Sequence, residues 1–356
     1  MPVSDQDLSE HLQARVADAV RARAPLRLHG GDSKAFYGRA VDGTACDLSG
    51  HRGIIHYEPT ELVLTARAGT PLREIESALA EHDQMLAFEP PHFGAAATLG
   101  GTIACNLSGP RRPHAGAARD FVLGTRIING RAEILSFGGE VMKNVAGYDV
   151  SRLMTGALGT LGVVLDVSLK VLPRPETELT LVRSGTPQQA LDRVHELGRL
   201  PLPVSATCYD GNALYLRLSG SARGVAAARD QIGGDQLAPE AEPWFGLREH
   251  QHPFFSDSRP LWRLSLASTA PPLALDGAWL YEWGGAQRWL LSAGDPGEIR
   301  RLAQYHGGHA THYRGDPQRA EFFQPPSRPL LELQRRLKQA FDPHGVLNPG
   351  RMYRGV

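Results

Sequence analysis

Three short stretches combine residue types that could hold a phosphorylated, flat ligand. The first is His29-Gly30-Gly31-Asp32-Ser33-Lys34. Adjacent glycines let successive backbone N–H groups point into one concavity, as a pyrophosphate requires, and Ser33 and Lys34 add side-chain donors. An ordinary surface turn would use the same residues. The second is Thr98-Leu99-Gly100-Gly101-Thr102-Ile103-Ala104-Cys105-Asn106-Leu107-Ser108-Gly109, almost all small or apolar. It permits close approach of backbone to an extended ligand, with Thr102, Asn106 and Ser108 as polar partners; tight packing of a helix on a sheet favours the same composition. The third runs Lys143-Asn144-Val145-Ala146-Gly147-Tyr148-Asp149 and continues from Met154 to Val164, where Gly159 and Gly162 flank a turn into a strand. Tyr148 and Asp149 would serve equally as a buried polar pair.

The elements around these stretches follow from periodicity. Ser4 and Asp7 form a capping pair for a helix through Leu8, Leu12, Val16, Ala19 and Val20. Strands are predicted over Ile54–Tyr57 and Leu62–Ala66, then a helix capped by Thr70, with Pro71 in its first turn and Leu72, Ile75 and Leu79 on one face. Asn129-Gly130-Arg131 predicts a hairpin between Phe121–Ile128 and Ala132–Phe137. A strand from Gly162 to Leu172 ends at Pro173-Arg174-Pro175, which marks a domain boundary. Beyond it, Leu179–Val182, Gln188–Leu197, Val204–Tyr209, Leu214–Leu218 and Ala222–Ile232 read as strand, helix, strand, strand, helix, a split βαβ sheet. Further strands are expected at Trp262–Leu266, Trp279–Glu282 and Trp289–Ser292, and a helix at Pro296–His306. A last amphipathic helix carries Leu330, Leu333, Leu337 and Phe341, a stripe that must be buried.

The expected organisation is therefore α+β, with domains at 1–175 and 176–325 and a C-terminal segment, 326–356, returning to the first. At 356 residues two domains are the natural assumption. Lys+Arg and Asp+Glu are 38 each, which makes nucleic acid an unexpected partner. No run approaches the roughly 20 apolar residues of a membrane span, and Asp5, Asp7 and Glu10 stand where a secretory signal would be basic, so a cytoplasmic protein is expected. Cys46, Cys105 and Cys208 are too few and too scattered for a zinc site or an iron–sulfur cluster, and no metal is expected.

In order and spacing the three stretches resemble the para-cresol methylhydroxylase/vanillyl-alcohol oxidase-type FAD-binding family. That family has a glycine-rich pyrophosphate loop, then Gly-Gly-x-x-Ala-x-Asn, then Lys-x-x-x-Gly-Tyr-Asp before Gly-Thr-Leu-Gly. The matching residues are Gly30 and Gly31; Gly100, Gly101, Ala104 and Asn106; Lys143, Gly147, Tyr148 and Asp149; and Gly159 to Gly162. Phe341-Asp342-Pro343-His344-Gly345-Val346-Leu347-Asn348-Pro349-Gly350-Arg351 resembles the family's closing motif. The resemblance implies a two-domain fold with a smaller ferredoxin-like cap. It also implies that Gly30, Gly31, Asp32, Ser33 and Lys34 hold the pyrophosphate. Gly100, Gly101, Thr102, Asn106, Ser108 and Gly109 would line the adenosine and flavin channel, and Val163 would touch the adenine. Pro90, Gly116, Asp120, Tyr148, Gly159, Gly162 and Asn348 complete the expected set. Ser33 and Lys34 stand where relatives attach flavin to a histidine, so FAD is expected to be non-covalent.

Within that family the wording of Lys143–Leu153 is most similar to the FAD-binding subunits of bacterial glycolate oxidases. The cap's His306-Gly307-Gly308-His309-Ala310-Thr311-His312 lacks the aspartate and asparagine of the histidine-rich motif in larger hydroxy-acid-oxidising relatives; three histidines this close could bind a metal, but the stretch reads as a polar turn at a helix end. The resemblance implies a small 2-hydroxy acid substrate, a larger FAD-linked partner subunit, a separate iron–sulfur subunit, and attachment to the membrane through those partners. Two other readings stay open: a free-standing FAD-dependent dehydrogenase of another 2-hydroxy acid or an aldonolactone, and a non-catalytic structural flavoprotein subunit. Arg259, Arg263 and Arg314 could clamp a carboxylate, and His250, His252, His309 or His312 could accept a proton; surface solvation explains each as well, and the catalytic residues stay unassigned.

Overall fold

Leu12, Val16 and Ala19 form the buried stripe of helix α1 (Ser9–Ala22). The Asp7 carboxylate accepts from the Ser9 N–H at 2.8 Å, and hydrogen bonds from Ser9 hold its pKa down at about 2. The computed structural model describes residues 5–139, 148–315 and 321–356, so Ser4 and Lys143–Gly147 lie outside the described residues. These group into two units: Met1–Leu107 with Ala117–Pro173 and Pro325–Val356, and Ser108–Gly116 with Arg174–Gln324.

In the first unit β1 (Leu26–His29) pairs in parallel with β2 (Thr44–Asp47), and Leu26 and Cys46 join Leu12, Val16 and Ala19 of α1 in one apolar cluster with Val163 and Leu165. There follow β3 (Ile54–Glu58), β4 (Val63–Arg67), α2 (Leu72–Ala80), β5 (Gln84–Met85) and α3 (Leu99–Cys105). Thr70 does not cap α2; Pro71 holds that position, and the buried Thr70 hydroxyl bonds the Gly53 backbone instead. After α4 (Arg112–Ala115), which belongs to the second unit, come α5 (Ala118–Phe121), β6 (Val122–Ile128), β7 (Ile134–Gly138), α6 (Val150–Met154), β8 (Val163–Lys170) and β9 (Leu172–Pro173). An antiparallel sheet forms in the order β3-β4-β8-β6-β7. Its central strand β8 is buried along nearly its whole length, although Asp166, Ser168 and Lys170 alternate with apolar residues in its second half. Its one acid, Asp166, pairs with Arg126.

The second unit contains β10 (Thr177–Ser184), α7 (Pro187–Leu197), β11 (Val204–Tyr209), β12 (Ala213–Gly220), α8 (Ala222–Ile232), β13 (Asp235–Gln236), α9 (Trp244–Arg248), β14 (Leu261–Ser265), β15 (Ala278–Glu282), β16 (Gln287–Leu291), α10 (Pro296–Tyr305) and β17 (His309–Arg314). The eight strands run β13-β10-β12-β11-β15-β16-β14-β17. One face buries Leu181, Leu214, Leu216 and Leu218 under α7 and α8, and another stretch of it packs Trp262, Leu264 and Ala310 against Ile299 and Ala303 of α10. The stretch expected to be a polar turn is therefore corrected: from His309 onward it is an edge strand paired with β14.

The final helix, α11 (Arg328–Phe341), returns to the first unit. Its apolar stripe is not fully covered, since Leu330 and Leu333 are 47% and 52% exposed, and among its residues only Lys338 is buried.

Candidate cofactor site

The turn after β1 is the floor of a cavity in the first unit enclosing about 780 Å³ of empty space, including the part open to solvent. Asp32 takes a left-handed conformation, φ 52°, immediately after the two glycines. Among the described residues the N–H groups of Gly30, Gly31, Asp32 and Ser33 make no hydrogen bond, and all four residues line the cavity. Consecutive unpaired amides with one left-handed residue are the makings of an anion-binding nest. The glycines are also required by packing: a Cβ at Gly31 would lie 1.6 Å from the Ala96 carbonyl oxygen, and one at Gly30 2.5 Å from Thr98 Oγ1.

Lys34 supplies charge at the same wall. It is 6% exposed, and its Nζ donates to the His92 carbonyl at 3.3 Å. Opposite the turn, α3 starts at Thr98, whose hydroxyl accepts from Gly101 N–H, and Gly100 lets the helix press on Ala68. Gly100, Gly101, Ala104 and Cys105 face the cavity. Burial raises the Cys105 thiol to about 11, against the opposing pull of Lys34 and Arg351.

The remaining wall is the Leu158–Val164 turn tied to the C-terminal segment. Asn348 accepts from Leu28 N–H at 2.8 Å through Oδ1 and donates from Nδ2 to the Leu158 carbonyl at 2.7 Å. Gly159, φ 72°, leaves room for that amide. The next residues continue the join, with Leu26 bridging Leu347 and Arg351 reaching the cavity.

Of the residues expected from sequence, the cavity gathers Gly30, Gly31, Asp32, Ser33, Lys34, Gly100, Gly101, Gly159, Gly162, Val163 and Asn348. Others lie outside its lining. Thr102 is fully buried in α3 with its hydroxyl unpartnered. Asn106 caps α3 and accepts from Arg119 N–H, Asp120 accepts from Ala117 N–H, Pro90 is buried, and Tyr148 is fully exposed. Ser108, Gly109 and Gly116 belong to the second unit, where the Gly109 carbonyl accepts from Trp283 Nε1 at 3.1 Å. His29, Cys105 and Arg351, quoted above only as parts of their motifs and with no cofactor-holding role, also line the cavity.

The cap residues considered for substrate chemistry have partners within the second unit. Arg259 pairs with Asp257, Arg314 donates to the Phe255 carbonyl, and Arg263 lies over the Tyr313 ring. His252 Nδ1 accepts from Phe254 N–H. His250 stacks on Phe255 at 4.0 Å and meets Trp289 edge-on; burial, Arg314 and Arg263 pull its pKa down to about 3. His312 packs on Trp262 in the apolar layer, whereas His309, an odd number of residues away on the same strand, is exposed on the other face, so these histidines do not converge.

Residues 8–138 match the family model of the FAD binding domain, and residues 297–352 that of the FAD linked oxidases, C-terminal domain. The chain is 52% identical over 348 residues to glycolate oxidase subunit GlcE of Escherichia coli (strain K12), covering 98% of both proteins. The chain belongs to the GlcE family. Members of this family are FAD-linked oxidoreductase chains, and shorter stretches are similar to relatives outside it. Glycolate oxidase subunit GlcD of Bacillus subtilis (strain 168) is 36% identical over 120 residues, 33% of this chain and 26% of that one. The D-lactate dehydrogenase of Archaeoglobus fulgidus is 29% identical over 211 residues, 58% of this chain and 47% of that one. Among solved structures, 4-ethylphenol oxidase from Gulosibacter chungangensis superposes with a TM-score of 0.71 at 15% identity, covering 97% of this chain and 88% of that one. An alkyldihydroxyacetonephosphate synthase gives 0.68 at 14% identity, covering 96% and 74%. The GlcE family chain thus has the two-domain para-cresol methylhydroxylase/vanillyl-alcohol oxidase-type fold.

Proposed function

We propose that the first-unit cavity binds FAD without a covalent bond and that the chain is the FAD-binding subunit of a glycolate-oxidising complex, converting glycolate to glyoxylate with a larger FAD-linked subunit and an iron–sulfur subunit. The observation that carries the cofactor reading is the row of four unpaired amides, Gly30 to Ser33, opening beside Lys34 into a cavity. Those amides would hold the diphosphate, with Lys34 as counter-charge. The small residues of α3 and the Leu158–Val164 turn would admit the flat rings. Bound FAD supplies the two-electron acceptor needed when a hydride leaves the alcohol carbon of a 2-hydroxy acid.

The turn positions that follow the glycines are Asp32, Ser33 and Lys34, none a usual attachment residue, and the His29 ring lies against the Gly30 carbonyl, which favours reversible binding. Electron transfer beyond the flavin would need a partner, because the three cysteines sit on β2, on α3 and on β11 and cannot supply the four thiolates of an ordinary cluster. Among the described residues no helix is long and apolar enough to cross a membrane; attachment through partner subunits is what the resemblance to glycolate oxidases implies. The divergence of His309 and His312 favours shared catalysis over solitary catalysis.

The test is to express the chain with and without its genomic neighbours and to follow glycolate- and D-lactate-dependent dye reduction. Turnover is expected only from the assembly. Robust turnover by the isolated chain would make it a free-standing dehydrogenase; an assembly whose FAD in this chain is never reduced would leave it a structural role.

A further inference from the structure

Arg351 lines the cavity from the far end of the sequence, and its guanidinium is already tied to the glycine turn. Its Nη1 donates to the Arg39 carbonyl at 2.7 Å, and its Nη2 donates to the Ala35 carbonyl at 2.9 Å across 316 residues of chain. The Arg39 N–H returns a bond to the Arg351 carbonyl at 2.8 Å. Ala35 and Arg39 sit just beyond the four unpaired amides, and the Ala35 N–H bonds the Asp32 carbonyl, so holding Ala35 fixes the turn that aims those amides.

Among the described residues Arg351 makes no ion pair; the Asp32 carboxylate in the cavity wall attracts it from further off and lies 3.2 Å from Arg27. A half-buried guanidinium that spends two donors on carbonyls keeps its positive charge for something else. Burial pushes its pKa down, the direction expected of a cation awaiting a counter-ion.

We infer that Arg351 is a positioning and counter-charge residue for the cofactor's diphosphate, clamping the glycine turn while neutralising the anion bound on it. This rests on the reading of the cavity as the FAD site. It makes the C-terminal segment part of the cofactor site and assigns selectivity for dinucleotide over uncharged flavin to a residue 316 positions from the turn it clamps.

The experiment uses the full apo-chain, titrated with FAD and with ADP at several salt concentrations, as wild type, Arg351→Met and Arg351→Lys. Losing a hydrogen-bonded charge should weaken FAD and ADP alike by about 10- to 100-fold and flatten the dependence of log Kd on log salt. Arg351→Lys should recover the salt slope but only part of the affinity. Unchanged Kd values, or a loss with an unaltered salt slope, would overturn the assignment. Should Arg351→Met fail to fold, wild type decides by phenylglyoxal modification: inorganic pyrophosphate should shield Arg351 and leave exposed Arg21 reactive, and no shielding refutes the inference. Wild type that binds neither FAD nor ADP would instead remove the underlying cavity reading.

Discussion

Lys338 and Asp342 form a 2.8 Å ion pair inside the first unit, with the Asp342 side chain fully buried. Lys338 Nζ also donates to the Thr160 carbonyl at 2.7 Å and the Leu347 carbonyl at 2.6 Å, while Asp342 accepts from Val346 and Leu347 N–H. One lysine therefore joins α11, the Leu158–Val164 turn and the segment that carries Asn348.

Replacing it leaves a buried acid and two carbonyls without their partner. Lys338→Met is expected to cost about 3–5 kcal/mol in chemical denaturation, the usual range for breaking one side of a buried pair. The double variant Lys338→Met/Asp342→Asn should cost less than the single change. A single variant as stable as wild type would contradict the structural role given to the pair.

Gly31 should be sensitive and Gly139 tolerant to the same added methyl. At Gly31 it would meet the Ala96 carbonyl at 1.6 Å, whereas at Gly139 nothing lies within 4 Å. Gly31→Ala should lower apo-protein stability by about 1–3 kcal/mol, as overpacking does. Gly139→Ala should stay within about 0.5 kcal/mol. Equal melting curves for the two variants would show that the turn does not pack against Ala96.

His250 makes the second unit acid-sensitive. Its folded pKa of about 3 lies below the roughly 6.5 of an unfolded histidine, so its neutral ring stabilises the fold fully above pH 6.5 or so. As pH falls from there toward 3, the unfolded chain takes up a proton that the folded chain refuses, and stability drops by at most about 1.4 kcal/mol per pH unit. His252 is shifted the same way by burial and adds to the slope. His250→Asn, which keeps a residue tolerant of the local φ of 54°, should be measurably less pH-dependent in denaturant titrations. A slope identical to wild type would place the acid sensitivity elsewhere.

Cys105 offers a footprint of the cofactor. With its thiol at about 11, alkylation of the apo-protein at pH 8 should be slow and accelerate about tenfold per pH unit. Added FAD should suppress it, with buried Cys46 and Cys208 as internal references. Peptide mass mapping that finds equal Cys105 labelling with and without FAD would put the ligand outside this cavity.

Local chemistry explains which of these features were legible in the sequence. Asn129 makes the expected turn, its Oδ1 accepting from Arg131 and Glu133 N–H, because an Asn-Gly turn is decided by its own neighbours. The glycine turn and the Gly100–Gly101 start of α3 were readable for the same reason, their conformations being demanded by adjacent residues. Thr70 was misread because a tertiary partner, the Gly53 backbone, outcompeted the local helix end. The strand at His309–Arg314 was hidden behind Gly307-Gly308 and three imidazoles, and it exists because β14, far back in the chain, pairs with it from Ser265 opposite His309 to Leu261 opposite Arg314. Arg351 could not be found locally at all, since its partners Ala35 and Arg39 are fixed only by the folded unit.

The bond from Leu28 to Asn348 spans 320 residues, which has a consequence for biosynthesis. At roughly 5–20 residues per second, the glycine turn leaves the ribosome on the order of half a minute before its closing amide has been made. During that interval the turn and β1 lack one wall of their pocket, and the second unit's Arg174–Gln324 must be synthesised before Pro325–Val356 can complete the first. On the proposal that this cavity holds the dinucleotide, nascent chains would lack the Asn348 wall, and loading would await the C-terminal segment.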